Sequence, residues 1–306
     1  MALWSSEELK KITSGDVTGK FEVGGVSIDT RTIKPNDLFI AVKGSTDGHK
    51  YIKDAFSKGA SAVLVEKKPK DLSENIPILV VKNSAHALRQ IGVAARKRCK
   101  AKVIAITGSV GKTSTKEMIK LALEGQGIIH AAEKSYNNHW GVPLTLANMP
   151  EMTKFAIFEI GTSNPGEILP LAQMIRPDVA IITAIAEAHL AAFKSLNEIT
   201  KEKTSILSAL KENGLGIINA DEDQLSFAGE LVSPKIKTFG CTETADWKLH
   251  DIKFFNSKMI YKISAKNEII YVKINALGVH HAMNSVAALC AIDCIGADLG
   301  RAVLKL

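Results

Sequence analysis

Val103-Ile104-Ala105-Ile106-Thr107, followed at once by Gly108-Ser109-Val110-Gly111-Lys112-Thr113-Ser114, decides how this chain folds. The first five residues form the short apolar run expected of a strand buried on both faces. Glycines then let the backbone curl so that several N–H groups can point at one anion. The helix that follows, with Ile119, Ala122 and Leu123 on one face, adds the partial positive charge of its N-terminus. A strand, a glycine-rich turn, Lys-Thr and a helix in that order make a phosphate-binding loop. Lys112 is expected to reach the β- and γ-phosphates of ATP, and the Thr113 hydroxyl to meet Mg²⁺. The general pattern also places a glycine five residues before Gly111; Ile106 stands there, so the loop is a shortened one.

Outward from this loop, apolar runs recur at Phe155–Ile160, Val179–Thr183 and Leu215–Asn219, with helical text between them. Strands alternating with helices predict a doubly wound, mostly parallel sheet. From Lys235 to Ile274 the text turns to alternation, as in Lys258–Ile263 and Glu268–Val272, which predicts an antiparallel extension. A helix is expected from about His281 to Ile295. Upstream, residues 1–82 read as a small α+β unit with strands at Val26–Ile28, Asp37–Val42, Ala62–Val65 and Ile78–Val81 and a helix at Tyr51–Gly59. The expected division is therefore an N-terminal domain over 1–82 and an ATP-binding α/β domain over 83–306, the latter opening with a helix from Asn83 to about Cys99.

The composition agrees with two packed cores: 306 residues, 46% hydrophobic and 23% charged. No apolar run reaches the 18 or so residues of a membrane span, and Met1–Ile12 lacks the apolar core of a secretory signal. A soluble cytoplasmic protein, without membrane association, is the default. The four cysteines show no metal or disulfide spacing, so buried thiols are expected. The net charge of +7 is scattered. Its densest run, Arg96-Lys97-Arg98 with Lys100, closes a helix, where cations are favoured anyway, so a nucleic-acid partner is not expected.

Three residues near strand ends take their interest from position, because open α/β sheets bind ligands beyond the carboxyl ends of their strands. Glu159 ends one strand, His189 follows another, and Lys203 lies in Lys201-Glu202-Lys203. Singly, they read as a solvated carboxylate, a structural histidine and a solvated helix face.

Together with the loop, these motifs resemble the Mur ligases, the ATP-dependent amino-acid and peptide ligases of peptidoglycan synthesis. Ser27-Ile28-Asp29-Thr30-Arg31, Asp37–Ala41 and Gly44 through Asp47-Gly48-His49 are similar to the family's UDP-binding domain. Thr107–Thr113 resembles its shortened phosphate loop, and Asn137-Asn138-His139-Trp140-Gly141-Val142-Pro143-Leu144-Thr145 its Asn-rich substrate loop. Glu159-Ile160-Gly161-Thr162 with Pro165-Gly166-Glu167-Ile168, and Ala188-His189-Leu190 with Phe193, favour the branch that adds D-alanyl-D-alanine to UDP-N-acetylmuramoyl-tripeptide.

The resemblance implies roles. Gly108, Ser109, Val110, Gly111, Lys112, Thr113 and Ser114 would hold ATP; Ser27, Asp29, Thr30, Arg31, Gly44, Asp47, His49, Asn137 and Asn138 would hold the UDP-linked substrate. Thr113 would ligate one Mg²⁺, and Glu159 with His189 a second. Lys203, fourteen positions after His189, falls where family members carry a carbamylated lysine; Lys112, Glu159, His189 and Lys203 would be the catalytic set. Gly278-Val279-His280-His281-Ala282-Met283-Asn284 resembles a segment that usually carries His-Asn for the nucleotide base; His281 stands at the asparagine's place, and Asn284 is a candidate for its role. The family has a third, C-terminal domain that closes over ATP, and this chain ends where it would begin. The resemblance therefore implies weak ATP binding and little turnover here. A monomer is expected, with a place in cell-wall growth, cell shape and division. The third-residue-adding ligase of the same family and a non-catalytic nucleotide-sugar-binding module remain the alternatives. A P-loop kinase or GTPase is disfavoured, since no guanine-reading segment is apparent.

Overall fold

In the computed structural model, residues 2–69, 76–187, 192–225 and 235–306 are described. They fall into two compact units, Met1–Lys100 with Pro143–Glu151, and Ala101–Val142 with Met152–Leu306.

The first unit contains β1 (Trp4–Ser5), α1 (Ser6–Thr13), β2 (Asp16–Thr18), β3 (Glu22–Val23), β4 (Gly25–Ser27), β5 (Asp37–Ile40), α2 (Ile52–Ser57), β6 (Ala60–Val65), β7 (Ile78–Val80) and α3 (Ser84–Arg98). Its sheet runs β2-β7-β6-β5-β4, parallel except for the β2/β7 pair. A core of Phe39, Ile52, Ala55, Val63, Val65 and Ile78 lies between the sheet and α2. Ser5 and Glu8 start α1 with reciprocal side-chain and backbone bonds.

The division expected after residue 82 falls after Lys100 instead, because α3 is fastened to the first unit. Asn83 caps it, the Ser84 N–H donates to Glu66 (3.2 Å), and the Arg98 guanidinium lies 3.6 Å from the Trp4 ring while donating to the Leu3 carbonyl (2.9 Å). The excursion Pro143–Glu151 joins the same unit through Asn148. Its amide accepts from the Val26 N–H (2.8 Å) and donates to the Val26 carbonyl (2.9 Å), satisfying the free edge of β4.

The second unit contains β8 (Lys102–Thr107), α4 (Lys112–Ala122), β9 (Ile129–Ala131), the start of α5 (Gly141–Ala147), β10 (Phe155–Glu159), α6 (Ile168–Ile175), β11 (Val179–Ile182), α7 (Leu196–Thr204), β12 (Leu215–Asn219), β13 (Lys235–Gly240), β14 (Trp247–Phe255), β15 (Lys258–Ala265), β16 (Glu268–Ile274), α8 (Val279–Cys294) and α9 (Leu299–Lys305). The sheet runs β16-β15-β14-β13-β12-β11-β8-β10-β9 among the described residues. It is parallel from β9 to β14 and antiparallel over β14-β15-β16, the doubly wound sheet and extension that the strand text predicts. Successive residues of β8 alternate faces. Ile104 and Ile106 join Ile119, Leu123, Val286 and Leu289 in one core, while Val103 and Ala105, also fully buried, face the other way. Strand β8 lies between β10 and β11, to which the chain returns in turn from opposite sides. Their carboxyl ends frame the crevice where such folds bind ligands.

Candidate functional site

Thr107 ends β8, and the loop after it is clamped before α4 begins. Gly108 has φ +150, and a β-carbon there would fall 2.0 Å from the Thr183 hydroxyl oxygen. That hydroxyl donates to the Val110 carbonyl (2.6 Å). The Ser109 N–H donates to the Ala184 carbonyl (2.8 Å), and its hydroxyl donates to the carbonyl of Ala186 (2.9 Å). Gly111 takes φ +87, which only glycine adopts readily, and opens α4 without a side-chain cap. The first amides of α4 are thus left without intrahelical partners.

Lys112 folds back over this loop, its Nζ donating to the Gly108 carbonyl (2.6 Å) and less closely to that of Ser109 (3.3 Å). Burial lowers its proton affinity, and the charge of Glu159 opposes that shift. The Thr113 hydroxyl lies exposed, 3.4 Å from that of Ser135. Ser114 is half-buried one position further.

Facing the loop is a cavity of about 220 Å³ lined by Gly108, Ser109, Lys112, Asn137, Asn138, Gly161–Ser163, Glu167 and Lys203. Glu159 is 1% exposed, not the solvated strand-end carboxylate that it resembles in isolation. Its backbone pairs with Ile106 of β8 at the end of β10. One oxygen accepts weakly from the Asn137 amide (3.4 Å), and Oε2 is buried with no partner among the described residues. Asn138 is used locally, its Oδ1 accepting from Trp140 and Gly141 N–H at the start of α5.

Lys203 departs most sharply from what its sequence suggests. The Lys-Glu-Lys text reads as a wet helix face, yet Lys203 is only 3% exposed, because α7 turns this side toward the cavity and α6. Desolvation, helped by the nearby charge of Lys112 and opposed by that of Glu202, pushes its pKa down to about 8. His189 lies outside the described residues.

Around the mouth of the loop, Asn284 of α8 places Oδ1 2.7 Å from where a β-carbon on Gly111 would sit. His281, one turn earlier, lies against His280 with ring centroids 4.2 Å apart and planes tilted by 43°, and its Nδ1 is buried without a partner among the described residues. Burial and the adjacent His280 lower its pKa. Asn284 thus stands beside the glycine loop, which sequence spacing alone could not determine.

The residues expected to hold a UDP-linked substrate lie in the first unit, except Asn137 and Asn138. Ser27, 3% exposed, donates to the Asp29 carbonyl (2.9 Å). Arg31 pairs with Asp29 (2.6 Å), and Thr30 hydrogen-bonds Asp54, lowering that carboxyl's pKa. Asp47 starts a helical turn by accepting from the His49 N–H (3.0 Å). The His49 ring joins Asp47 through Nδ1 (2.7 Å) and the Glu66 N–H through Nε2 (3.0 Å), which assigns the proton to Nδ1. Gly44 shapes the same loop through an N–H bond to the Thr46 carbonyl (3.1 Å).

Sequence reasoning did not single out Thr162, Ser163 and Glu167 as lining residues, nor Thr183 as the clamp on Gly108. The signal for that wall was the pair of motifs Glu159–Thr162 and Pro165–Ile168, which contain Thr162 and Glu167 but not Ser163.

Comparison with known proteins bears on this geometry. The profile described as the Mur ligase middle domain matches residues 106–292, and that of the Mur ligase family, catalytic domain, matches 22–118. The UDP-N-acetylmuramoyl-tripeptide–D-alanyl-D-alanine ligase of Rickettsia prowazekii is 37% identical, over 97% of this chain and 67% of that protein. A crystal structure of MurF from Acinetobacter baumannii superposes with TM-score 0.88 at 28% identity, covering 99% of this chain and 67% of the other. MurF ligase from Thermotoga maritima in complex with ADP gives 0.78 at 26%, covering 91% and 65%. The chain spans from about half to two thirds of the length of the curated relatives it matches. It belongs to the Mur ligase family.

Proposed function

We propose that this chain supplies the UDP-substrate-binding and ATP-binding parts of a ligase that joins D-alanyl-D-alanine to UDP-N-acetylmuramoyl-tripeptide. The observation that carries this reading is the cavity in which Gly108, Ser109, Lys112 and Lys203 converge, beside a buried oxygen of Glu159 that has no partner among the described residues. Relatives bearing that ligase's name over most of this chain's length support the branch.

In the proposed reaction the terminal carboxylate of the tripeptide attacks the γ-phosphorus of ATP in line. The bond to the bridging oxygen breaks, ADP leaves, and an acyl phosphate remains. The neutral amine of D-alanyl-D-alanine then attacks the acyl carbon. Phosphate departs with the C–O electrons, and the ammonium proton is released. Lys112, freed from the Gly108 carbonyl, follows the charge on the transferred group, and the loop amides hold the other phosphate oxygens. The low-dielectric surroundings strengthen both effects.

The donor set fits Mg²⁺. Glu159 Oε2 is a buried carboxylate oxygen without a partner among the described residues, and the exposed Thr113 hydroxyl stands at the loop. Glu159 and Thr113, with His189, would hold the ions; when bound, these neutralise phosphate charge. Lys203 joins them only as an anion. Its lowered pKa provides the neutral amine that reacts with CO₂, giving a carbamate and releasing a proton. Asn137 orients Glu159.

The test compares phosphate release from ATP with two substrate pairs. UDP-N-acetylmuramoyl-tripeptide with D-alanyl-D-alanine is expected to stimulate it. Stimulation only by the dipeptide substrate with a diamino acid would move the chain to the third-residue-adding branch. Tight binding of both ligands with release at background would favour a binding module.

A further inference from the structure

Glu202 immediately precedes Lys203 and is buried with it, at 8% exposure. A buried carboxylate is costly unless it is paired or hydrogen-bonded, and Glu202 is satisfied by backbone from another element. Its Oε2 accepts from the Gly166 N–H (2.7 Å) and its Oε1 from the Ile168 N–H (2.8 Å). Both are charge-assisted bonds, the stronger class. Helix α6, which starts at Ile168, has no side-chain cap of its own. The Glu167 carboxylate is turned the other way, accepting from the N–H groups of Ser163 (2.7 Å) and Asn164 (3.2 Å) and from the Thr162 hydroxyl (3.2 Å).

Two carboxylates therefore work in series. Glu167 braces the turn internally, and Glu202 ties its far end to α7. That turn carries Thr162, Ser163 and Glu167, which form the cavity wall facing Gly108, Ser109 and Lys112. Glu202 itself does not line the cavity. Without it, the two N–H groups would lose their acceptor, and the wall would be free to move relative to Lys112.

We propose that Glu202 is a positioning residue. By latching Gly166 and Ile168 to α7, it holds the Thr162–Glu167 wall where the terminal phosphate of ATP must fit, and so favours triphosphate over diphosphate binding. This rests on the ATP reading above.

Calorimetry with Mg²⁺ and either ADP or the non-hydrolysable analogue adenylyl imidodiphosphate separates the possibilities. Glu202→Ala is expected to raise the Kd of the triphosphate analogue roughly tenfold, as loss of buried bonds of this class does, and that of ADP by less than about threefold. Glu202→Gln keeps one acceptor and sets an N–H₂ against the other amide, so an intermediate shift is expected; it carries the test if the alanine variant does not fold. Amide exchange at Gly166 and Ile168, read by NMR, should accelerate in both variants. Faster exchange with an unchanged ratio of the two Kd values would make Glu202 a helix cap only and overturn the inference. Unchanged exchange and affinities would overturn it as well. A wild type that binds neither nucleotide overturns the ATP reading, and the inference with it; a wild type that binds both leaves that reading standing whatever the variants do.

Discussion

Replacing Lys203 with methionine should stabilise the protein at neutral pH while removing its proposed catalytic function. The side chain is 3% exposed, and its pKa falls from the ordinary 10.5 to about 8, chiefly through desolvation. Every tenfold loss of proton affinity corresponds to about 1.4 kcal/mol, so keeping the ammonium buried at pH 7 costs on the order of 3 kcal/mol. Methionine has a similar length, suits a helix and carries no charge; after imperfect repacking, a gain of about 1 to 3 kcal/mol is expected. The pH dependence fixes the sign. Between about 8 and 10.5 the unfolded chain binds the proton and the folded one does not, so wild-type stability rises with pH across that window. Below 8 both states are protonated and the full cost is present. The variant's advantage should therefore be constant below pH 8 and shrink toward pH 10. Urea unfolding at pH 7 and pH 10 in CO₂-free buffer measures it. A variant less stable than wild type at pH 7, or an advantage that does not change with pH, would refute the reasoning.

Lys112→Ala should lower ATP-dependent phosphate release by roughly 10²-fold or more, as expected for losing one transition-state contact; a near-normal rate removes Lys112 from its role. Gly108→Ala forces a β-carbon to within 2.0 Å of the Thr183 hydroxyl at φ +150. It should cost about 2 kcal/mol or more and abolish ADP binding, read by thermal unfolding and calorimetry. Asn148→Ala strips the Val26 N–H and carbonyl of their partners. A loss of about 2 to 4 kcal/mol is expected in urea unfolding, with faster amide exchange along β4.

The strand–glycine turn–helix and its sheet were legible because buried parallel strands read as unbroken apolar runs and a glycine-rich turn has a fixed position between strand and helix. The short strand Ile129–Ala131 was not, since three half-buried residues carry no periodic signal. Residues 143–151 join the first unit through the side chain of Asn148 and the main chain of Ala147, which accepts from the Trp4 indole (2.8 Å). Contacts across 122 and 143 positions leave no local trace in the text. Lys203 and Glu202 misled for a related reason: Lys-Glu-Lys looks solvated until α6 and the cavity wall are placed against α7. Asn284 became a candidate through resemblance alone. Its closeness to Gly111 depends on how α8 packs beside α4, for which the largely buried α8 sequence offers many registers.

The central claim is that ATP bound at Gly108–Thr113 activates a substrate carboxylate as an acyl phosphate. The most direct test uses UDP-N-acetylmuramoyl-tripeptide labelled with ¹⁸O in its terminal carboxylate, incubated with ATP, Mg²⁺ and D-alanyl-D-alanine. The account predicts that one labelled oxygen leaves in inorganic phosphate and the other stays in the new amide carbonyl. Amide formation with unlabelled phosphate, or label appearing in AMP, would contradict it.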